Sequence, residues 1–154
     1  MDKGTVTPYV AAKGADRFLD FVEAVFTTEK AARIRNPDGT IGHAEIRVGD
    51  SVIMAFDSRP EWPATPAFLS VYVADSDAVV DKALREGATL VTPVTTSGIV
   101  GERGGRVKDP AGNIWWVQTR IGEPDLSRFD DPAELAVMRS SQESFDREMR
   151  ANAG

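Results

Sequence analysis

Residues 42–54, GHAEIRVGDSVIM, decide the fold class, because they have the pattern of a β-hairpin. Apolar and polar residues alternate from residue 41 to 48, which is typical of a strand with one buried face. The apolar set is Ala44, Ile46 and Val48, and the polar set is His43, Glu45 and Arg47. Gly49-Asp50 then makes a tight reversal into a second apolar run. Such short turns favour a sheet of antiparallel hairpins over a doubly wound parallel sheet.

The same order of elements occurs twice along the chain. A strand and a helix come before the first hairpin, and a proline-rich segment, residues 58–66, separates this series from a second one. Asp16 and Asp77 begin the two predicted helices 61 residues apart, and Gly49 and Gly112 turn the two hairpins 63 residues apart. This spacing predicts two equivalent modules, each with the element order βαβββ.

We therefore predict an α+β fold with curled mixed sheets around a cleft. The two modules span about residues 4–57 and 67–120 and form one domain, residues 1–122. Residues 123–154 form a C-terminal helical extension.

The composition limits the classes of partner. The 154 residues carry a net charge of −6, which disfavours binding to nucleic acid and mildly favours a cationic small molecule. No apolar run approaches the length of a membrane span, and the first residues lack the pattern of a secretory signal. With no cysteine there is no disulfide and no cysteine-based zinc site. We expect a cytoplasmic protein that binds neither membranes nor nucleic acid.

Three segments carry a resemblance to a known family: residues 7–10 (TPYV), 42–54 and 104–116 (GGRVKDPAGNIWW). They resemble the vicinal oxygen chelate superfamily of glyoxalase I, bleomycin resistance proteins, fosfomycin resistance enzymes and extradiol dioxygenases. The small bacterial glyoxalase-like proteins are the most similar branch. The resemblance covers about residues 4–120 and implies the fold predicted above, a cleft for a small molecule and pairing into homodimers.

The family's metal ligands lie on the first strand, on the strand that opens the second module and on the final strand. Aligned on the turns and helix starts, these positions fall near Thr7, Phe68 and Trp116. Phenylalanine and tryptophan offer no lone pair to a divalent metal, and a neutral threonine hydroxyl is a poor ligand. We expect a chain without metal or cofactor.

The resemblance also implies which side chains face the cleft. They share one parity along their strands and are mostly aromatic or apolar, with hydroxyls and one amide. The set is Thr7, Tyr9, Phe68, Ser70, Tyr72, Ile114, Trp116 and Gln118. Such a lining suits a flat organic molecule, and Trp62 in the proline-rich loop would serve as a lid. The alternative is that these aromatic residues fill the core.

His43 is the only histidine and lies two residues from Glu45 on the polar face of its strand. A histidine oriented by a carboxylate could act as a general base. The alternative is a half-exposed strand residue that bonds to a neighbour.

The last thirty residues predict a helix. Asp131 is an acidic cap and Pro132 occupies the first helical position. An apolar seam follows at spacings of three and four residues, broken by one polar member: Leu135, Met138, Gln142, Phe145 and Met149. Two interpretations stay open, a helix packed on its own domain and a dimer contact.

Our first hypothesis is a metal-free binding protein of the glyoxalase/bleomycin resistance type. It would sequester an aromatic or cationic compound, as antibiotic-binding members of the family do. The alternative is a metal-dependent lyase, isomerase or dioxygenase of the same superfamily. A third hypothesis is a metal-free enzyme that uses His43 with Glu45, or Tyr9, as acid or base.

Overall fold

The computed structural model describes residues 1–152 and has the predicted order of elements. The first series is β1 (Tyr9–Ala12), α1 (Ala15–Val25), β2 (Ala32–Arg35), β3 (Ile41–Val48) and β4 (Ser51–Asp57). The second series is β5 (Phe68–Tyr72), α2 (Ser76–Arg85), β6 (Thr89–Ser97), β7 (Glu102–Lys108) and β8 (Ile114–Arg120). A 3₁₀ turn (Leu126–Asp130) and the long helix α3 (Pro132–Ala151) follow. The predicted α+β class with two βαβββ series is confirmed.

The chain forms two compact units that do not follow the sequence continuously. The first unit comprises Met1–Phe68 and Asp109–Ile114, and the second comprises Leu69–Lys108 and the chain from Trp115 onward. The domain boundary that we placed at residue 122 stays a prediction. Within residues 1–152 we find no helix of the length and hydropathy that a membrane crossing requires.

The sheet of the first unit has the strand order β1-β4-β3-β2, with β1 parallel to β4 and the other pairs antiparallel. Gly49 at the β3–β4 turn has a φ of 59°, a conformation that glycine adopts without strain. The predicted alternation is present, since Ala44 and Ile46 are fully buried. Their face packs under α1, whose apolar stripe includes Phe18 and Leu19, both fully buried.

A single carboxylate completes the start of two elements in this unit. Gly14 precedes α1 and provides no side-chain cap. Asp57, at the end of β4, accepts hydrogen bonds from the backbone N–H of Ala15 through Oδ1 and of Ile41 through Oδ2, each at 2.7 Å. Ala15 and Ile41 are both buried, so water cannot replace Asp57 as the acceptor of their N–H groups without a rearrangement.

The sheet of the second unit has the strand order β5-β8-β7-β6, and β6 and β7 are antiparallel. The Asp75 side chain caps α2 by accepting from the N–H of Ala78 at 3.0 Å. Ser76, Val80 and Ala83 form the buried stripe of α2, and Leu84 lies at the edge of this stripe with 37% exposure.

Helix α3 packs against β6, and the side that faces the sheet overlaps the predicted apolar seam only in part. Glu134 and Ser144 are buried, whereas Leu135, Met138 and Met149 are 37%, 39% and 48% exposed. The helix packs on its own chain, in agreement with the first of the two interpretations given above. It uses a polar stripe for this contact because the sheet face below it carries polar side chains.

Candidate functional site

A cavity of about 200 Å³ lies between α3 and the sheet of the second unit. Its apolar wall consists of Val100, Trp116, Val137 and Met138. Its polar lining includes Thr92, Glu102, Arg106, Gln118, Ser141 and Gln142. An apolar wall with a few polar groups is typical of a small-molecule site.

Arg106 is the group that joins the sheet to the helix inside this cavity. Its Nη1 donates to the carbonyl oxygen of Ser141 at 3.1 Å, to the Ser141 hydroxyl at 2.8 Å and to the Thr92 hydroxyl at 3.2 Å. The guanidinium lies over the ring of Trp116, 4.4 Å from the ring centroid, and 5.4 Å from that of Phe145. These contacts place a cation within cation–π distance of two aromatic rings.

The charge on Arg106 has no carboxylate partner among residues 1–152. The residue is 7% exposed, and its Nε is buried without a hydrogen-bond acceptor in that part of the chain. Burial lowers the pKa of the guanidinium, although an arginine stays charged at neutral pH. Burial of a cation without a paired charge is costly, because the cation loses its hydration.

Other polar contacts hold α3 at the cavity. The Glu134 carboxylate accepts from the backbone N–H of Gly98 at 3.1 Å and pairs with Arg128 at 2.8 Å. The hydroxyls of Thr92 and Ser144 lie 2.7 Å apart, and Lys108 pairs with Glu148. The helix is therefore held at the cavity by specific polar bonds as well as by the apolar side chains that it contributes to the wall.

The predicted binding residues of the second unit lie on one face of its sheet. Trp116 and Gln118 line the cavity, and Gln118 donates from Nε2 to the Ser70 hydroxyl at 2.6 Å. Tyr72 donates its phenolic hydrogen to Glu102 at 2.9 Å. Ser70 and Tyr72 are exposed on β5 and lie outside the cavity lining.

The predicted residues of the first unit fall in several environments. The Thr7 hydroxyl donates to the carbonyl of Gly4, Phe68 is 49% exposed, and Ile114 is buried at 4% exposure. Trp62 is 43% exposed and packs edge-on against Phe56, with ring centroids 6.4 Å apart. Ile114 therefore lacks the open surface that we expected of a binding residue.

Tyr9, His43 and Glu45 form a hydrogen-bonded chain on the first unit. The Tyr9 hydroxyl lies 3.0 Å from His43 Nδ1, and His43 Nε2 lies 3.1 Å from Glu45 Oε1. Lys3, followed by His43, lowers the pKa of Glu45 to about 2, because Lys3 Nζ lies 2.6 Å from Oε1. Glu45 is thus a carboxylate at neutral pH, and it accepts from the His43 ring when Nε2 carries the proton.

The sequence profile of the glyoxalase/bleomycin resistance protein/dioxygenase superfamily matches residues 6–117 of this chain. The chain belongs to this superfamily. An uncharacterized protein of Mycobacterium tuberculosis is 29% identical over 148 residues, which cover 89% of this chain and 83% of the relative.

Solved structures of the superfamily's fold resemble this chain at low sequence identity. TioX from Micromonospora sp. ML1 has a TM-score of 0.57 and 24% identity, over 75% of this chain and 95% of its own. The fosfomycin resistance protein FosX from Mesorhizobium loti has a TM-score of 0.54 and 13% identity, over 77% and 93% of the two chains. At these identities the likeness concerns the fold alone.

The three positions that we aligned with the superfamily's metal ligands carry residues that do not suit a divalent metal. Thr7 is a neutral hydroxyl bonded to a backbone carbonyl, and Phe68 and Trp116 have no donor atom for a metal. Across residues 1–152 no group of three or more histidine, aspartate or glutamate side chains is placed to hold a metal ion. These three side chains supply neither the imidazole nor the carboxylate ligands that such a metal prefers.

The sequence analysis missed Arg106, Thr92 and the serines of α3. On β7 a period of two places Glu102, Gly104 and Arg106 on one face, which is the face that lines the cavity. Two adjacent glycines hide this alternation, because they have no side chain to mark a buried or an exposed face. The sequence feature that pointed to this site was the single arginine of the GGRVK segment. We used that segment only for its resemblance to the superfamily.

Proposed function

We propose that this chain is a small-molecule-binding protein that acts without a metal. It holds an organic compound with a flat apolar part in the cavity of the second unit and sequesters it, as expected of a protein of the bleomycin resistance type. The observation that carries the proposal is the cavity itself, with Trp116 and Gln118 on its wall. The unsuitable donors at the usual ligand positions support binding without metal.

Tryptophan fluorescence tests this proposal. A panel of one- and two-ring aromatic compounds, neutral, cationic and anionic, is titrated into the protein, and at least one is expected to quench the emission saturably. The Trp116→Phe variant should lose most of that response, because Trp116 lines the cavity. Trp62→Phe is the matched control on the first unit and should retain it. Absence of saturable quenching by every compound would refute the proposal.

A second candidate function, a metal-free acid–base enzyme, is favoured by the hydrogen-bonded chain of Tyr9, His43 and Glu45. A tyrosine hydroxyl linked through histidine to a carboxylate is a plausible proton path. Mass spectrometry of a bound compound after incubation tests it. A product that forms with the natural chain and not with His43→Gln would favour turnover over sequestration.

Metal dependence is the remaining alternative. Elemental analysis of the purified protein decides it, since a stoichiometric divalent ion would favour the lyase, isomerase or dioxygenase hypothesis. We further propose a cytoplasmic homodimer that confers resistance to the compound it sequesters. The exposed apolar residues Leu135 and Met149 on α3 support self-association.

A further inference from the structure

We propose that the cavity of the second unit selects ligands that carry an anionic group, and that Arg106 binds this group. The inference rests on the proposed function, because it names the class of ligand for the same cavity. It predicts an aromatic carboxylate or a similar organic acid, although the net charge of the chain alone favours a cation.

The first argument is the unused hydrogen-bonding capacity of Arg106. A guanidinium has five N–H donors, and the bonds to Ser141 and Thr92 involve only Nη1. Nε is buried without an acceptor anywhere in residues 1–152. Two neighbouring donors of an arginine fork match the two oxygens of a carboxylate. The free side of the fork is therefore suited to an anion.

The second argument is that no acidic side chain within residues 1–152 pairs with Arg106. Glu102 also lines the cavity, but it lies four residues away on β7, roughly 13 Å along an extended strand. Its Oε1 accepts the hydrogen bond of Tyr72. An anionic ligand would thus supply the charge that the fold leaves out.

The third argument concerns what holds Arg106 in place. Trp116 and Phe145 lie on the guanidinium, and Ser141 fixes Nη1 from the helix. A side chain so restrained loses little further rotamer freedom on binding, so its charge-assisted bonds contribute more to affinity. The apolar part of the ligand would then contact Val100, Val137 and Met138.

A matched pair of probes tests the inference on the natural chain. Calorimetric titration with 2-naphthoate and with 2-naphthamide compares two ligands of nearly equal size that differ in charge. We expect the naphthoate to bind about tenfold or more tightly, the factor typical of a charge-assisted bond. Equal affinities would overturn the role of Arg106 and leave the proposed function standing. Binding of neither probe would overturn the inference, whereas the proposed function falls only if the whole fluorescence panel also fails to bind.

Variants then assign the preference to one residue. Arg106→Gln is expected to abolish the preference for naphthoate and to retain binding of the amide. Arg103→Gln is the matched control, because Arg103 lies on the same strand, faces away from the cavity and pairs with Asp77. A preference that survives in Arg106→Gln would refute the inference.

A spectroscopic measurement covers the case in which Arg106→Gln does not fold. In the natural chain, the side-chain Nε–H resonance of Arg106 should shift on addition of 2-naphthoate and stay in place with 2-naphthamide. An unchanged resonance at saturating naphthoate would count against Arg106 as the anion site.

Discussion

At the residue scale, Glu45 of the first unit has a strongly shifted pKa. This side chain is 14% exposed and receives contacts from Lys3 at 2.6 Å and from His43 at 3.1 Å. Both stabilise the carboxylate relative to the protonated acid, so the pKa of Glu45 falls from 4.5 to about 2. A carboxylate whose pKa is lower in the folded protein stabilises the folded state at every pH above its unfolded pKa of 4.5. This contribution to stability is lost as the pH falls from about 4.5 to about 2.

We predict that the Glu45 carboxyl titrates near pH 2 in an NMR titration. Lys3→Ala should raise its midpoint, since Lys3 is the largest cause of the shift. Lys30→Ala, which removes the ion pair with Glu23 instead, should leave Glu45 unchanged. A wild-type midpoint in the ordinary glutamate range would contradict the ion-pair geometry.

At the scale of elements, two carboxylates join segments that are distant in sequence. Asp57 serves the starts of α1 and β3, and Glu134 holds α3 to the backbone at Gly98. In each case the donor is a backbone N–H that has no acceptor within its own helix or strand. Loss of either carboxylate leaves donors without an acceptor, which is more costly than loss of a bond exposed to water.

We predict that Asp57→Ala lowers the free energy of unfolding by about 3 kcal/mol, because two buried N–H groups lose their acceptor. Asp75→Ala removes the single cap bond of α2 and should cost about 1 kcal/mol. Urea denaturation of the two variants measures the difference. An equal decrease in the free energy of unfolding for the two variants would show that Asp57, with two donors, contributes no more stability than the single cap bond of Asp75.

Glu134→Ala should destabilise the chain by about 1–3 kcal/mol and speed amide hydrogen exchange at Gly98. Glu143→Ala is the matched control, since Glu143 is exposed on the same helix. If both variants exchange at the natural rate at Gly98, Glu134 does not hold the helix to this backbone.

At the scale of the whole molecule, α3 presents two faces with different tasks. Its polar side chains bond to Gly98 and Arg106, and Leu135 and Met149, which do not line the cavity, are exposed on the helix. Exposed apolar residues at helical spacing favour contact with another apolar surface, and a second copy of the chain is the partner that we propose.

We expect light scattering of the full chain to give about twice its mass of 16.7 kDa. Leu135→Glu and Met149→Glu should shift the protein to monomer, because a charge on the seam opposes burial in a contact. Neither residue lines the cavity, so ligand binding should persist. Ser140→Glu adds the same charge to an exposed position outside the seam and should not change the mass. A monomeric natural chain would exclude this contact.

The candidate site could be predicted in part. Strand parity identified Trp116 and Gln118, both of which line the cavity, and it grouped Gln118 with Ser70. Parity alone could not show that Ile114 is buried, because burial depends on what covers a strand face. Nor could it show that α3 covers the face that carries Arg106, since the position of a helix on a sheet depends on contacts between distant segments.

The order of elements, the hairpin turns and the superfamily were determined by the sequence alone. These features depend on short-range periodicity and on turn residues, which are readable without knowledge of distant contacts. Only the tertiary structure decided where the cavity lies and which charge it contains. Arg106 meets Ser141 across 35 residues, and Tyr9 meets His43 across 34. Contacts at such separations follow from the packing of whole elements, which local patterns do not specify.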